Sequence, residues 1–249
     1  MLLETRGLVS GYGKVTVLHG VDLKVETGEV VVALGSNGAG KSTLLKALAG
    51  HLPVTSGHVL LEGHRIEGKH ASQIAQAGIG YVPQESNIFD RLSVRENLVV
   101  SALRRDDGGR EAVDTALERF PILAERADQR ASTLSGGERQ ILAINSALVL
   151  SPKLLLLDEP TSGLSPVMVE AIVDWVGEIA AEGVAGVLWV VEQNPEPVLA
   201  ISGRTYVLEG GEVTTEVRSA DLLVSGRLER LLLEDAPAAP GADLDQSGD

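Results

Sequence analysis

The chain has 249 residues, with 21 basic and 35 acidic side chains, a formal net charge of −14 and no cysteine. At this length roughly 70–75% of the unfolded surface can be buried, so a core needs neither metal nor disulfide to hold it. The absence of cysteine excludes a disulfide framework, a thiol nucleophile and a cysteine-ligated zinc site, and so acidic a balance is unsuited to general nucleic-acid binding, which needs Lys and Arg against phosphates.

The opening segment, MLLETRGLVSGYG, lacks the basic-then-apolar pattern of a signal peptide. The longest uncharged apolar stretch, 183–191, is far short of the ~20 residues a membrane span requires. The five histidines, at 19, 51, 58, 64 and 70, show no ligand spacing. Short apolar runs alternate with helical patterns, which predicts an α/β fold with a mainly parallel core sheet.

In chain order, EVVVAL (29–34) is a continuous apolar run, as expected of a strand buried on both faces. It leads into GSNGAGKST (35–43) and then a helical stretch, STLLKALAG. GHVLLEG (57–63) is a different kind of strand. Residues 93–150 are predicted to be mainly helical, starting at Ser93 and carrying Val94, Leu98, Val99 and Leu103 at helical spacing. KLLLLD (153–158) and GVLWVV (186–191) are two more buried strands. RTYVLEGGEV (204–213) contains a Glu-Gly-Gly-Glu hairpin turn; this segment and 57–63 are expected in an antiparallel sheet beside the main one. Residues 235–249 offer almost nothing to bury and are expected to be a disordered tail.

The segment 35–42 matches GxxxxGK[ST] in full, between a strand and a helix. Gly35, Gly38 and Gly40 let the backbone curl so that its N–H groups face phosphate oxygens, and the helix N-terminus adds partial positive charge. Gly35, Ser36, Asn37, Gly38, Ala39, Gly40, Lys41, Ser42 and Thr43 are therefore the expected phosphate-binding residues. Lys41 is expected to reach the β- and γ-phosphates, and the Ser42 hydroxyl to meet Mg²⁺. LLLLDEP (154–160) supplies a second strand ending in Asp158, which can hold the metal through water, and in Glu159, whose carboxylate can polarise a water as general base. LSGGERQ (134–140) reads as a capping box, with Ser135 as N-cap and Glu138 three residues on. Two glycines in a first turn each cost up to ~1 kcal/mol relative to alanine, which is understandable where something approaches the backbone closely.

LSGGERQ, in order with Tyr12, the phosphate loop, Gln84, the Asp158–Glu159 pair and Gln193, resembles the signature of ATP-binding cassette (ABC) ATPases over residues 1–234. The resemblance implies a phosphate-loop NTPase fold with a mainly parallel core sheet, an antiparallel β subdomain and a helical subdomain at about 86–150. It implies ATP and Mg²⁺ as cofactors. It places Tyr12 against adenine, Gln84 at Mg²⁺ and the attacking water, and Gln193, where the family usually has histidine, at the γ-phosphate. Ser135, Gly136, Gly137, Glu138 and Gln140 would act on the ATP held by a second subunit, so the working unit would be a dimer. Ser165, in SGLSP, stands where such ATPases generally carry an aspartate.

VEQN at 191–194, with RFPILAERADQRASTLSGGERQILAI (119–144), resembles the ATPase subunits of branched-chain amino acid importers. That implies two membrane permeases, a second ABC ATPase identical or different, an external solute-binding protein acting indirectly, no nucleic acid, and a place on the cytoplasmic face of the cell membrane. Ile88 and Phe89 are candidate contacts to the permeases or ordinary core. Two other classes stay open: an ABC ATPase outside transport, and a nucleotide-dependent regulator with little turnover. Glu159 argues for hydrolysis.

Overall fold

The computed structural model describes residues 1–85, 88–103, 105, 108–224, 226 and 228; the tail expected at 235–249 lies outside them. The chain begins with two long strands, β1 (Leu3–Tyr12) and β2 (Val15–Val25), then β3 (Val30–Leu34) and α1 (Lys41–Leu48). β4 (Val54–Leu61), β5 (His64–Arg65), α2 (Ala71–Ala77) and β6 (Ile79–Val82) follow. Four helices come next, α3 (Val94–Ala102), α4 (Arg110–Arg119), α5 (Pro121–Ala124) and α6 (Gly136–Leu148). The remainder is β7 (Leu154–Asp158), α7 (Pro166–Ala181), β8 (Gly186–Val191), α8 (Glu196–Ile201), β9 (Arg204–Glu209), β10 (Glu212–Arg218) and α9 (Ser219–Leu222).

The main sheet has the order β10-β9-β3-β8-β7-β6. All its pairings are parallel except the β9–β10 edge. β3, β7 and β8 are buried at every residue, and their alternate side chains feed two separate apolar clusters. Val32, Leu34, Leu155, Leu157, Trp189 and Val191 face the side covered by α3–α8. Val31, Ala33, Leu154, Leu156, Leu188 and Val190 face α1 and the strands β1, β2 and β4. A strand with a core on each face has no reason to alternate apolar with polar, which is why these three read as unbroken runs.

A second, antiparallel sheet has the order β2-β1-β4-β5. The segment 57–63 belongs to it, as expected. The segment 204–213 does not. It is a hairpin, turned by Gly210 and Gly211 at φ 53° and 86°, but β9 lies in the main sheet beside β3, with Ala33 opposite Tyr206. Thr205, Tyr206, Val207 and Leu208 are all buried, so β9 is a two-sided interior strand, and only β10, alternately exposed, reads as an edge.

α3 starts on a complete capping box, Ser93 Oγ accepting from Glu96 N–H and the Glu96 carboxylate from Ser93 N–H. Val94 and Leu98 are buried on it, whereas Val99 and Leu103, offset around the helix, are 44% and 71% exposed. The buried Asn97 amide bonds both backbone groups of Phe89 and so fixes that residue. Ile88 packs on the core, while Phe89 is 57% exposed. Phe120 meets Trp175 edge to face at 4.1 Å, tying α5 to α7. Among the described residues no helix is long and apolar enough to cross a membrane.

Candidate functional site

The parallel strands deliver their C-terminal ends to one edge of the sheet, where an open α/β fold characteristically holds its ligand. β3 ends in the phosphate loop, β7 in Asp158 and Glu159, β8 in Glu192 and Gln193, and β6 leads to Gln84. These meet in a cleft of about 560 Å³ whose walls include Tyr12, Lys41, Ser42, Gln84, Glu159 and Gln193. Asn37, Gly38, Gly40 and Thr43 also line it. Gly35, Ser36 and Ala39 shape the loop without lining the cleft.

The loop's curl needs its glycines. Gly38 and Gly40 have φ of 85° and 102°, where a side chain is strained, and Gly40 is the N-cap of α1. The Lys41 ammonium donates to the carbonyls of Gly35 and Ser36 at 2.8 and 2.9 Å and lies 3.8 Å from Glu159 Oε1. Glu159 Oε2 accepts a 3.4 Å hydrogen bond from the Gln84 amide. Glu159 itself sits at φ 48°, a conformation rare without glycine, and its N–H bonds the carbonyl of Val190. The chain thus turns sharply out of β7 and aims the carboxylate into the cleft. Burial raises the Glu159 pKa; the Lys41 charge opposes that rise, and Glu192 and Asp158 add to it.

Asp158 is 2% exposed. Its Oδ1 accepts from Ser42 Oγ at 3.0 Å and its Oδ2 from the Tyr81 hydroxyl at 3.3 Å. Burial raises its pKa, while the hydrogen bonds from Ser42 and Tyr81 and the charges of Lys46 and Lys41 lower it. Among the described residues no Lys or Arg comes within ion-pair distance of this carboxylate, and no cluster of three acidic or histidine ligands exists. A buried carboxylate beside a hydroxyl, without a cationic partner, fits a hard divalent ion that takes oxygen ligands and relies on phosphates for the rest of its shell.

Tyr12 is 46% exposed at the cleft rim, with Lys46 Nζ 5.9 Å from its ring centroid. Gly211, in the β9–β10 turn, fastens this rim to the phosphate loop. Its N–H donates to Ala39 O and its carbonyl accepts from His19 N–H, and a Cβ there would stand 1.8 Å from Val17 O. Gln193 is exposed in the cleft, and among the described residues no hydrogen bond from its side chain closes the end of β8.

The segment 134–140 is not part of this cleft. Ser135 caps α6 and Glu138 reaches back to the Ser135 N–H at 2.8 Å. Glu138 is 6% exposed and pairs with Arg126 at 2.9 Å, and Gln140 is buried. Gly137 is buried too, and a Cβ on it would stand 2.5 Å from the Met168 side chain. That glycine is therefore explained within the chain by packing against α7. Ser135 and Gly136 are exposed and Arg139 is half-buried, so of the five residues expected to act on a second subunit's ATP these first two are the ones open to another molecule. No motif in the sequence singles out Tyr81 or Glu192. Glu192 at least stands beside Gln193; Tyr81 carries no signal, since its hydroxyl meets Asp158 only across two paired strands.

The ABC transporter family matches residues 18–162, more than half of the chain. The chain belongs to the ABC transporter family. It is an ABC ATPase, a subunit that binds and hydrolyses ATP for a transporter. Relatives of this ATPase include the high-affinity branched-chain amino acid transport ATP-binding protein BraG of Pseudomonas aeruginosa, 43% identical over 87% of this chain and 93% of that protein. The probable branched-chain amino acid transport ATP-binding protein LivF of Archaeoglobus fulgidus is 38% identical, covering 93% and 98%. The lipopolysaccharide export system ATP-binding protein LptB of Escherichia coli K12 is 34% identical, covering 93% and 96%. Among solved structures, the ADP conformation of an ATP-binding cassette superposes with a TM-score of 0.81 at 27% identity, covering 93% and 98%.

Proposed function

We propose that this ABC ATPase drives uptake of branched-chain or related amino acids through separate membrane permeases, from the cytoplasmic face of the membrane. The likeness to BraG over nearly the full length of both chains carries that reading. The ATP-binding domain is assigned to residues 1–234, of which 229–234 lie outside the described residues, with a helical subdomain at about 86–150. Phe89, exposed and held by Asn97, is offered to the permeases.

The geometry supports these roles. Tyr12 stacks on adenine; aromatic–base stacking is worth roughly 1–3 kcal/mol. The phosphate loop wraps the phosphates, with Lys41 exchanging its two loop carbonyls for phosphate oxygens. Glu159, in contact with Gln84, takes the proton of the attacking water as that oxygen forms its bond to the γ-phosphorus and the bond to ADP breaks. Gln84 positions the water, and Gln193 donates an amide N–H to a γ-phosphate oxygen. Ser42 and Asp158 would hold Mg²⁺, which would supply charge neutralisation on the phosphates. Ser135 and Gly136, at the N-terminus of α6, meet the ATP of a second ABC ATPase, an anion at a helix N-terminus, so two nucleotides lie between two subunits. Closure of that dimer is favoured by the contacts ATP makes only in the closed state.

The test is a mild-detergent pull-down from the cell's own membranes, followed by uptake assays with the recovered complex in vesicles. The reading expects two multi-span permeases, an ABC ATPase partner and ATP-dependent entry of branched-chain amino acids. Recovery with an export assembly would favour the LptB likeness and overturn uptake. Recovery of the chain alone would remove transport and leave the ATPase chemistry.

A further inference from the structure

We infer that Tyr81 is a positioning residue, whose hydroxyl holds Oδ2 of Asp158 so that the carboxylate is aimed at the cation bound through Ser42. The inference rests on the assignment of Asp158 and Ser42 to the metal.

The Asp158 carboxylate has two donors to orient it, Ser42 on Oδ1 and Tyr81 on Oδ2. They are not equivalent. The Ser42 hydroxyl is itself directed to the cation in the loaded site, so it cannot also serve as an independent brace. Tyr81 stands outside the ligand set. It lies on β6, paired with Leu156 of β7, two residues before Asp158. Its ring is not a wall of the nucleotide cleft; it lines a separate groove with His51 and Phe89 and packs on the His51 ring at 5.6 Å. Tyr81 therefore stands outside the space the nucleotide would occupy, and among the described residues its hydroxyl meets the metal site through Oδ2 of Asp158. A carboxylate with one donor fewer can rotate about its last bond, and partners that orient metal ligands are typically worth 10–100-fold in metal affinity or activity.

Tyr81→Phe keeps the ring, its contact with His51 and the strand, and removes one oxygen. The experiment uses the full chain in a Glu159→Gln background to prevent turnover. Mn²⁺ is titrated into the ATP-loaded protein and free Mn²⁺ is followed by electron paramagnetic resonance. The expected result is that Tyr81→Phe raises the half-saturating Mn²⁺ concentration about tenfold, with ATP affinity in EDTA unchanged. In an Asp158→Asn background the same substitution should add nothing, because residues acting as one unit are non-additive. Parent-like Mn²⁺ binding by Tyr81→Phe, with Asp158→Asn impaired, overturns the inference alone. Parent-like binding by Asp158→Asn overturns the metal assignment beneath it. An equal loss from Tyr81→Phe in both backgrounds, or weaker ATP binding in EDTA, makes Tyr81 a structural residue and overturns the inference as well.

Discussion

Lys41 and Glu159 face each other across the phosphate loop, Nζ 3.8 Å from Oε1, with side chains 5% and 15% exposed. Each is the other's counter-charge in the free protein, and each has a different task once phosphate enters. Removing one therefore leaves the other without its counter-charge, Lys41 with only the carbonyls of Gly35 and Ser36 and Glu159 with only the Gln84 amide, which is costly for a charge held away from water.

Lys41→Ala removes the cation from the phosphate site and releases the carbonyls of Gly35 and Ser36. ATP affinity should fall by about 100-fold or more, as for truncating one partner of a buried charge pair. Equilibrium binding of a fluorescent ATP analogue reads this directly, and unchanged affinity would show that the loop does not hold phosphate.

Glu159→Gln should retain ATP binding and lose roughly 10²–10⁴-fold in turnover. The raised pKa of Glu159 has a definite sign: as pH falls, the base is protonated sooner than an ordinary glutamate at about 4.3. The acid limb of steady-state hydrolysis should lie above that value and disappear in the variant. Near-normal turnover by Glu159→Gln removes it as the base.

Gln193→Ala should slow hydrolysis about tenfold or more while leaving ATP affinity nearly intact, since among the described residues its amide has no hydrogen bond to lose. Gln193→His should introduce a titration near the ordinary histidine pKa of about 6.5. A flat pH profile in that variant would mean the position is remote from the γ-phosphate.

Gly136 and Gly137 should part company. Gly137→Ala collides with Met168, so overpacking of about 1–3 kcal/mol should lower the melting temperature. Gly136→Ala meets only Leu164 at 3.4 Å and should leave melting unchanged or slightly raised, while weakening ATP-dependent dimerisation seen by light scattering. If Gly136→Ala dimerises normally, no nucleotide approaches that backbone.

Glu67 gives a pH test of the antiparallel sheet. Burial alone would raise its pKa, but hydrogen bonds from its own backbone, Arg65 and Val59 N–H, with the Arg65 charge, bring it down to about 2. A depressed folded value means stability that is fully present above the unfolded glutamate pKa of about 4.3 and lost as pH falls through the folded one. The advantage of the wild type over Glu67→Gln in urea midpoint should thus be constant near neutrality and shrink below about pH 4.3. An advantage that grows on acidification would contradict the assignment.

Some of this was readable along the chain because the physical cause is local. The runs 30–34, 154–158 and 186–191 lie between two cores, and strand, glycine loop and helix N-terminus follow one another without interruption around Lys41. Ser93 and Ser135 announce their helices through capping boxes. What could not be read depends on neighbours far away in sequence. β9 joins β3 rather than the antiparallel sheet that its hairpin turn suggests, because four consecutive residues, Thr205 to Leu208, are buried. Gly137 packs against Met168 of α7, a neighbour that its local sequence does not name. Tyr81 met Asp158 only once β6 and β7 had paired in register.

Gly211 binds Ala39 of the phosphate loop with one backbone atom and His19 with another, on the strand that carries Val17 to the cleft. With the proposed roles of the rim and the loop, base and phosphate recognition are consequently not separate modules that can be exchanged one at a time. Re-engineering β2 for a different purine would, through this one residue, drag the loop proposed to grip the phosphates. Selectivity for the base and grip on the phosphates should therefore change together in any library built on β2, and variants that alter one without the other are to be sought at Tyr12, which ends β1 and which Gly211 does not bond.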